Sequence, residues 1–165
     1  MIRKATFADA NAVKALIRSS HERSKYAGRC GIAEKALENL VLALVMGQNA
    51  KGLGATHLSV AERDGKVVGF IAGTVNRVYA IGDAALANDN FLVNEGGRVG
   101  DTLALVDAYI AWARGIPQVI EIGLSWSDAL PGADKIAALY ARKGAHKVGE
   151  QWELRVDVAA EGVAA

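Results

Sequence analysis

Apolar residues recur along the chain in two rhythms. Four stretches repeat at helical spacing. Val13, Leu16 and Ile17 predict a helix that opens near Thr6 and Asp9, a shortened capping box, and ends near Ser20. Ile32, Ala36, Leu37, Leu40, Val41, Leu44 and Val45 predict a second from about Ile32 to Met46, stopped by Gly47. Val99, Leu103, Val106 and Ile110, with Leu105 and Tyr109 widening the stripe, predict a third, ended by Gly115-Ile116-Pro117. Ile136, Leu139 and Tyr140 predict a fourth over Ala133–Arg142, ended by Gly144.

The other rhythm is that of strands. Ile2–Thr6 reads as an opening strand. Leu58–Glu62 and Lys66–Val75 flank Asp64-Gly65, a strong two-residue hairpin signal. Gly69 and Gly73 inside the second of these mark a bulge or a close backbone approach. Phe91–Val93 and Gln118–Leu124 read as buried strands, and His146–Val156 as a closing one. Asn76–Asn90 is less regular, with a short helix expected around Gly82–Ala87. The polar stretches 20–31, 47–55 and 125–132 read as loops, and 157–165 as a frayed tail. The order predicts an α/β (α+β) fold: one domain over residues 1–156, with a mixed sheet, helices on both faces, and a parallel pair formed by the crossover through 91–124.

Between Phe91–Val93 and the third helix stand Gly96, Gly97 and Gly100. A helix N-terminus offers unpaired amides and a partial positive charge, so this turn suits a phosphate-bearing cofactor. It equally suits a packed strand–turn–helix corner.

Composition narrows the classes. A net charge of +1 implies no broad attraction to nucleic acid or an anionic membrane. Cys30 is the only cysteine, so no intrachain disulfide forms, and a reducing, cytoplasmic setting fits. The longest apolar run, Leu40–Met46, is too short to span a bilayer, and MIRKATFADA holds no apolar signal core. His21, His57 and His146 have no metal-ligand spacing, so no metal is expected.

Three segments carry a resemblance to the GNAT superfamily of acyl-CoA N-acyltransferases. IRKATFADANAVKALI (2–17) is similar to the family's opening strand and helix. AERDGKVVGFIAG (61–73) is similar to its central hairpin. IAALYARKGAHKVG (136–149) is similar to its closing helix, with Tyr140 and Gly144 in place and Ala145 where the family has Phe. The resemblance implies a mostly antiparallel sheet with a splayed parallel central pair. It also implies transfer of an acetyl group from acetyl-CoA to an amine of a small molecule or peptide, and it is compatible with a homodimer.

The resemblance also assigns residues. Leu92 and Val93, on the strand before the glycine turn, would pair with the pantetheine arm, and a main-chain amide near Val93 would polarise the thioester carbonyl. The family's acetyl-CoA motif aligns best with Gly97-Arg98-Val99-Gly100-Asp101-Thr102, and an alternative register starts at Glu95. Gly97 stands where the family has Gln or Arg, which leaves backbone amides and Arg98 to hold the pyrophosphate. Tyr140 matches the tyrosine that protonates the departing thiolate; the same position suits a packed helix tyrosine. Glu121, a carboxylate in the apolar strand VIEIGL, is the first candidate base and Glu62 the second, and both positions also suit ion pairs. Ser125 and Ser127 are placed to contact a ligand or to cap the loop. The stretches His21–Cys30 and Val78–Asn88 are the acceptor-side loops.

Overall fold

The Asp64-Gly65 signal builds the centre of the sheet. Both residues take the left-handed backbone of a tight hairpin turn, with φ of 50° and 72°. They join β2 (Thr56–Arg63) to β3 (Lys66–Arg77) in antiparallel register. The computed structural model describes residues 1–130, 134–149 and 153. In it β1 (Ile2–Lys4) adds to the outer side of β2, and β4 (Ala85–Asn94) pairs antiparallel with β3. β5 (Val119–Gly123) then lies parallel to β4, giving the order β1-β2-β3-β4-β5.

Four α-helices cover the sheet. α1 (Ala10–Glu22) and α2 (Glu34–Met46) pack on one face, where Val13, Leu16, Leu37, Val41 and Leu44 meet Leu58, Val60, Phe70, Ala72 and Val93. α3 (Val99–Arg114) and α4 (Asp134–Arg142) pack on the other, where Leu105, Val106, Tyr109, Leu139 and Tyr140 meet Ala61, Ile71, Val75, Ala85 and Ala87. Each fully buried Leu, Val or Phe contributes about 1.5–3 kcal/mol of transfer free energy, so the two layers together hold the sheet between them. Among the described residues no helix is long and apolar enough to cross a membrane.

Three expectations change. The short helix around Gly82–Ala87 is absent, and β4 begins at Ala85 instead of Phe91. Its Ala, Asn and Asp residues are weak strand formers, and pairing with β3 on one side and β5 on the other overrides that weakness. The buried stripe of α3 is Thr102, Leu105, Val106, Tyr109 and Ala113; Val99 is 73% exposed. Of the predicted closing strand, 146–149 are not strand, and 150–152, 154–156 and the tail lie outside the described residues.

The β3–β4 register slips once. Ala72 faces Phe91 and Gly73 faces Asp89, so Asn90 has no partner and forms a bulge. The slip reverses the alternation of side chains. Ala85, Ala87 and Asp89 lie on the α3 side, whereas Phe91 and Val93 lie on the α1–α2 side.

Candidate active site

The parallel pair runs only from Ala85 opposite Val119 to Asn88 opposite Gly123. β5 ends there, while β4 continues to Asn94, so a slot opens beside the second half of β4. The Glu95 amide reaches back to the Val68 carbonyl of β3 at 2.7 Å. Amides alternate sides along a strand. Those of Val93 and Phe91 therefore face β3, and that of Leu92 faces the slot.

Where the strands part, three side chains converge. Asp89 is 7% exposed, and its Oδ1 accepts the Ser125 amide at 2.7 Å as well as the Ser125 hydroxyl. The Tyr140 hydroxyl donates to Asp89 Oδ2 at 3.0 Å, and the Ser125 carbonyl is a second acceptor at 3.3 Å. Burial pushes the Asp89 carboxyl above the usual carboxylate range, with the Ser125 donors opposing. Burial and then the Asp89 charge push the Tyr140 phenol well above its ordinary value. The helical spacing of Ile136, Leu139 and Tyr140 turns this phenol inward, where it is 4% exposed. Beside it the Tyr109 hydroxyl donates to the Gly123 carbonyl at 3.2 Å and pins the end of β5. Gly73 makes room for that ring, since a β-carbon there would lie 2.4 Å from Tyr109 Cε2.

At the other end of the slot lies the glycine turn. Asn94 donates through Nδ2 to the Arg98 carbonyl at 3.0 Å and to Thr102 Oγ1 at 2.7 Å. Its Oδ1 is buried without a partner and would lie 1.8 Å from a β-carbon at position 97. Asn94 thus explains Gly97: its side chain occupies the space where the family's Gln or Arg would start. The Arg98 amide donates to Asp101 Oδ2 at 2.8 Å, and Arg63 of β2 holds the same carboxylate at 2.5 Å. The Arg98 amide and the Arg63 charge keep Asp101 below the usual carboxylate range. Glu95 is held by Arg23 and by Ser20 Oγ at 3.3 Å. Val99 and Gly100 form the first turn of α3, whose amides have no intrahelical acceptor, and Gly100 faces open space. Val99 and Leu103 line a groove of about 290 Å³ with Lys135, Ala138, Leu139 and Arg142 of α4.

Of the residues singled out in the sequence, Tyr140 and Ser125 meet at the parting, and Val99, Gly100 and the exposed Arg98 stand at the groove end. Thr102 and Asp101 spend their side chains inside the turn. Leu92 packs toward α3, and Val93 is buried toward α1 and α2. Glu62 pairs with Arg3 at 2.7 Å, and Arg3 also grips Asp9 through two bonds of 2.8 Å. Glu121 is exposed on β5 opposite Leu86, ahead of the parting. Asp89 escaped the sequence reading. Its signal is the i, i+2, i+4 series Ala85, Ala87, Asp89, legible only once the strand is extended that far.

No family model and no curated protein matches the chain. Solved structures match it along nearly its whole length. A ribosomal-protein-alanine N-acetyltransferase from Brucella melitensis biovar Abortus 2308 superposes with a TM-score of 0.63 at 15% identity, covering 95% of this chain and 99% of that one. The aminoglycoside N-acetyltransferase AAC(6')-Iy in complex with CoA gives 0.70 at 14% identity, covering 96% and 95%. A transcriptional regulator from Bacillus halodurans C-125 gives 0.65 at 18% identity, covering 94% and 99%. The chain has the fold of the GNAT acetyltransferases.

Proposed function

We propose that the protein transfers an acetyl group from acetyl-CoA directly to a primary amine of a small molecule or peptide, with both substrates held in one ternary complex. The observation that carries this reading is the parting of β4 from β5 with a tyrosine hydroxyl at the point of parting.

The residues present fit a coenzyme A thioester. Val99, Leu103, Ala138 and Leu139 offer an apolar floor, and Lys135 and Arg142 place cations on its rim. The first-turn amides of α3 and the Arg98 guanidinium suit a pyrophosphate. When bound, the coenzyme would supply an acyl carbonyl activated by a thiolate leaving group. The Leu92 amide, directed into the slot, would donate to the carbonyl oxygen. Tyr140 would give its proton to the sulfur. The amine would enter between the loop after α1 and the loop after β5. These loops are tied by the Lys25 amide on the Ala129 carbonyl at 2.9 Å and by the Lys25 ammonium on Asp128 at 2.6 Å.

One observation favours a second reading, a binding module without catalysis. The turn spends the Arg98 amide on Asp101 and fills the space at Gly97 with Asn94, so it has fewer donors to offer an anion. Isothermal titration with acetyl-CoA, followed by thiol release across a panel of amines, separates the two. Heat of binding and amine-dependent release are expected. No heat and no thermal shift at millimolar acetyl-CoA would sink the enzyme reading.

A further inference from the structure

Asp89 is a buried carboxyl group with no part in the steps above, yet it governs the hydroxyl on which they depend. Its Oδ1 takes the Ser125 amide and hydroxyl, and its Oδ2 faces the Tyr140 hydroxyl at 3.0 Å. The same hydroxyl has the Ser125 carbonyl within 3.3 Å. One set of heavy-atom positions therefore satisfies two hydrogen arrangements. With Asp89 charged, the phenol hydrogen lies on Oδ2. With Asp89 neutral, its own hydrogen lies toward the phenol oxygen, and the phenol hydrogen turns to the Ser125 carbonyl or to an acceptor in the slot. The Ser125 donors stay on Oδ1 in both.

We propose that Asp89 is a positioning residue for Tyr140: its charge state decides whether the phenol hydrogen is held on the carboxylate or released into the slot. The consequence for catalysis rests on the acetyl-transfer reading; the hydrogen switch itself does not. In that reaction the Tyr140 O–H bond breaks as the S–H bond forms, and the Asp89 hydrogen replaces it on the phenol oxygen, leaving Asp89 as carboxylate. Without the second transfer a phenolate would sit beside a carboxyl group in a buried site, where an unpaired charge is costly. Burial favours the neutral carboxyl that the relay starts from. Among the described residues, the ionisable groups facing Asp89 are Tyr140 from α4 and Tyr109 from α3, the latter backed by His57 of β2 with ring centroids 5.9 Å apart. β3 presents Gly73, and the β5 side presents Ser125.

The test is a pH titration of the whole protein by NMR, following tyrosine Cζ and aspartate Cγ, with Tyr140 assigned from Tyr140→Phe. The expected result is a step in the Tyr140 signal that shares its midpoint with the Asp89 carboxyl and lies far below phenol ionisation. Asp89→Asn should remove the step, because its amide nitrogen can only donate to the phenol. It should also lower the pH at which Tyr140 ionises by about one pH unit or more. A Tyr140 signal that stays flat while Asp89 titrates overturns the proposal. That readout needs only the unaltered protein, so it holds even where Asp89→Asn fails to fold. Calorimetry with acetyl-CoA on the same samples separates the two readings. No heat beside a clear step removes the acetyl-transfer reading and keeps the pair, whereas heat without a step removes the pair.

Discussion

Asn94, the last residue of β4, donates to Thr102 in the first turn of α3 at 2.7 Å, and this bond sets the shape of the glycine turn between them. The other side of the same amide leaves no room at position 97. Gly97→Ala should therefore destabilise the protein by about 1–3 kcal/mol, the usual cost of an overpacked site. In a double-mutant cycle with Asn94→Ala, the two losses should sum to less than their separate values, measured by urea unfolding. Additive losses would place the clash elsewhere.

Tyr140→Phe removes one donor from Asp89 and leaves Tyr109, whose hydroxyl is bonded to the Gly123 carbonyl, as the neighbouring phenol. Turnover of acetyl-CoA with an amine acceptor should fall by about 10²–10⁴-fold while the Kd for acetyl-CoA holds. Stability should drop by about 1 kcal/mol for the lost buried bond. Unchanged turnover would take Tyr140 out of the chemistry and leave the fold untouched.

Lys135 and Arg142 face the groove beside Val99, whereas Lys143 on the same helix is paired with Asp107 at 2.6 Å. Converting both Lys135 and Arg142 to Gln should weaken acetyl-CoA binding by about tenfold, or about 1.4 kcal/mol, and flatten its salt dependence. Lys143→Gln should do neither. Equal effects from all three would point to general charge in place of a phosphate site.

His57 lies against the rings of Tyr109 and Trp112 with its Nε2 buried and unpartnered. Burial, with Lys4 nearby, brings its pKa down to about 4. The unfolded imidazole binds a proton below about pH 6.5, so between these values the unfolded state holds more protons and stability rises with pH. The contribution is complete above about pH 6.5 and is lost as the pH falls toward 4, amounting to at most about 3 kcal/mol. Asp89 acts with the opposite sign. Its raised carboxyl stabilises below the unfolded carboxylate value and loses that contribution as the pH rises through its folded pKa. Thermal melts of His57→Leu should lose the rising component and expose the falling one. A profile identical to the parent's would show that His57 is already charged or solvated.

The parts of this fold that local chemistry determines were legible. Asp64-Gly65 admits few conformations other than a tight turn, and the stripes of α1 and α4 have one apolar side each, whereas α2 also exposes Leu40, Leu42 and Met46. Tyr140 stood out by the family resemblance, while its place in such a stripe suited a packed tyrosine equally. The first half of β4 was not legible, because Ala85, Ala87 and Asn88 favour no strand by themselves and become one only between two partners. Asp89 went unseen with it. The hold of Arg63 on Asp101 was not legible either, because the two residues are distant in sequence. Both concern partners distant in sequence, which neither spacing nor propensity encodes.

The unmatched Asn90 gives β4 two phases. Ahead of it, odd-numbered side chains look toward Tyr109 and Tyr140; beyond it, odd-numbered side chains look toward α1 and α2. A single strand can thus hold a carboxylate in one layer and bring Phe91 and Val93 to the other within a few residues. Deleting Asn90 would leave Asp89 opposite Gly73 and Phe91 opposite Ala72, so the bulge would go and both layers would keep their side chains. Asn90 should therefore be the position in β4 where loss of a residue is best tolerated, since the pairs on either side of it already stand in step.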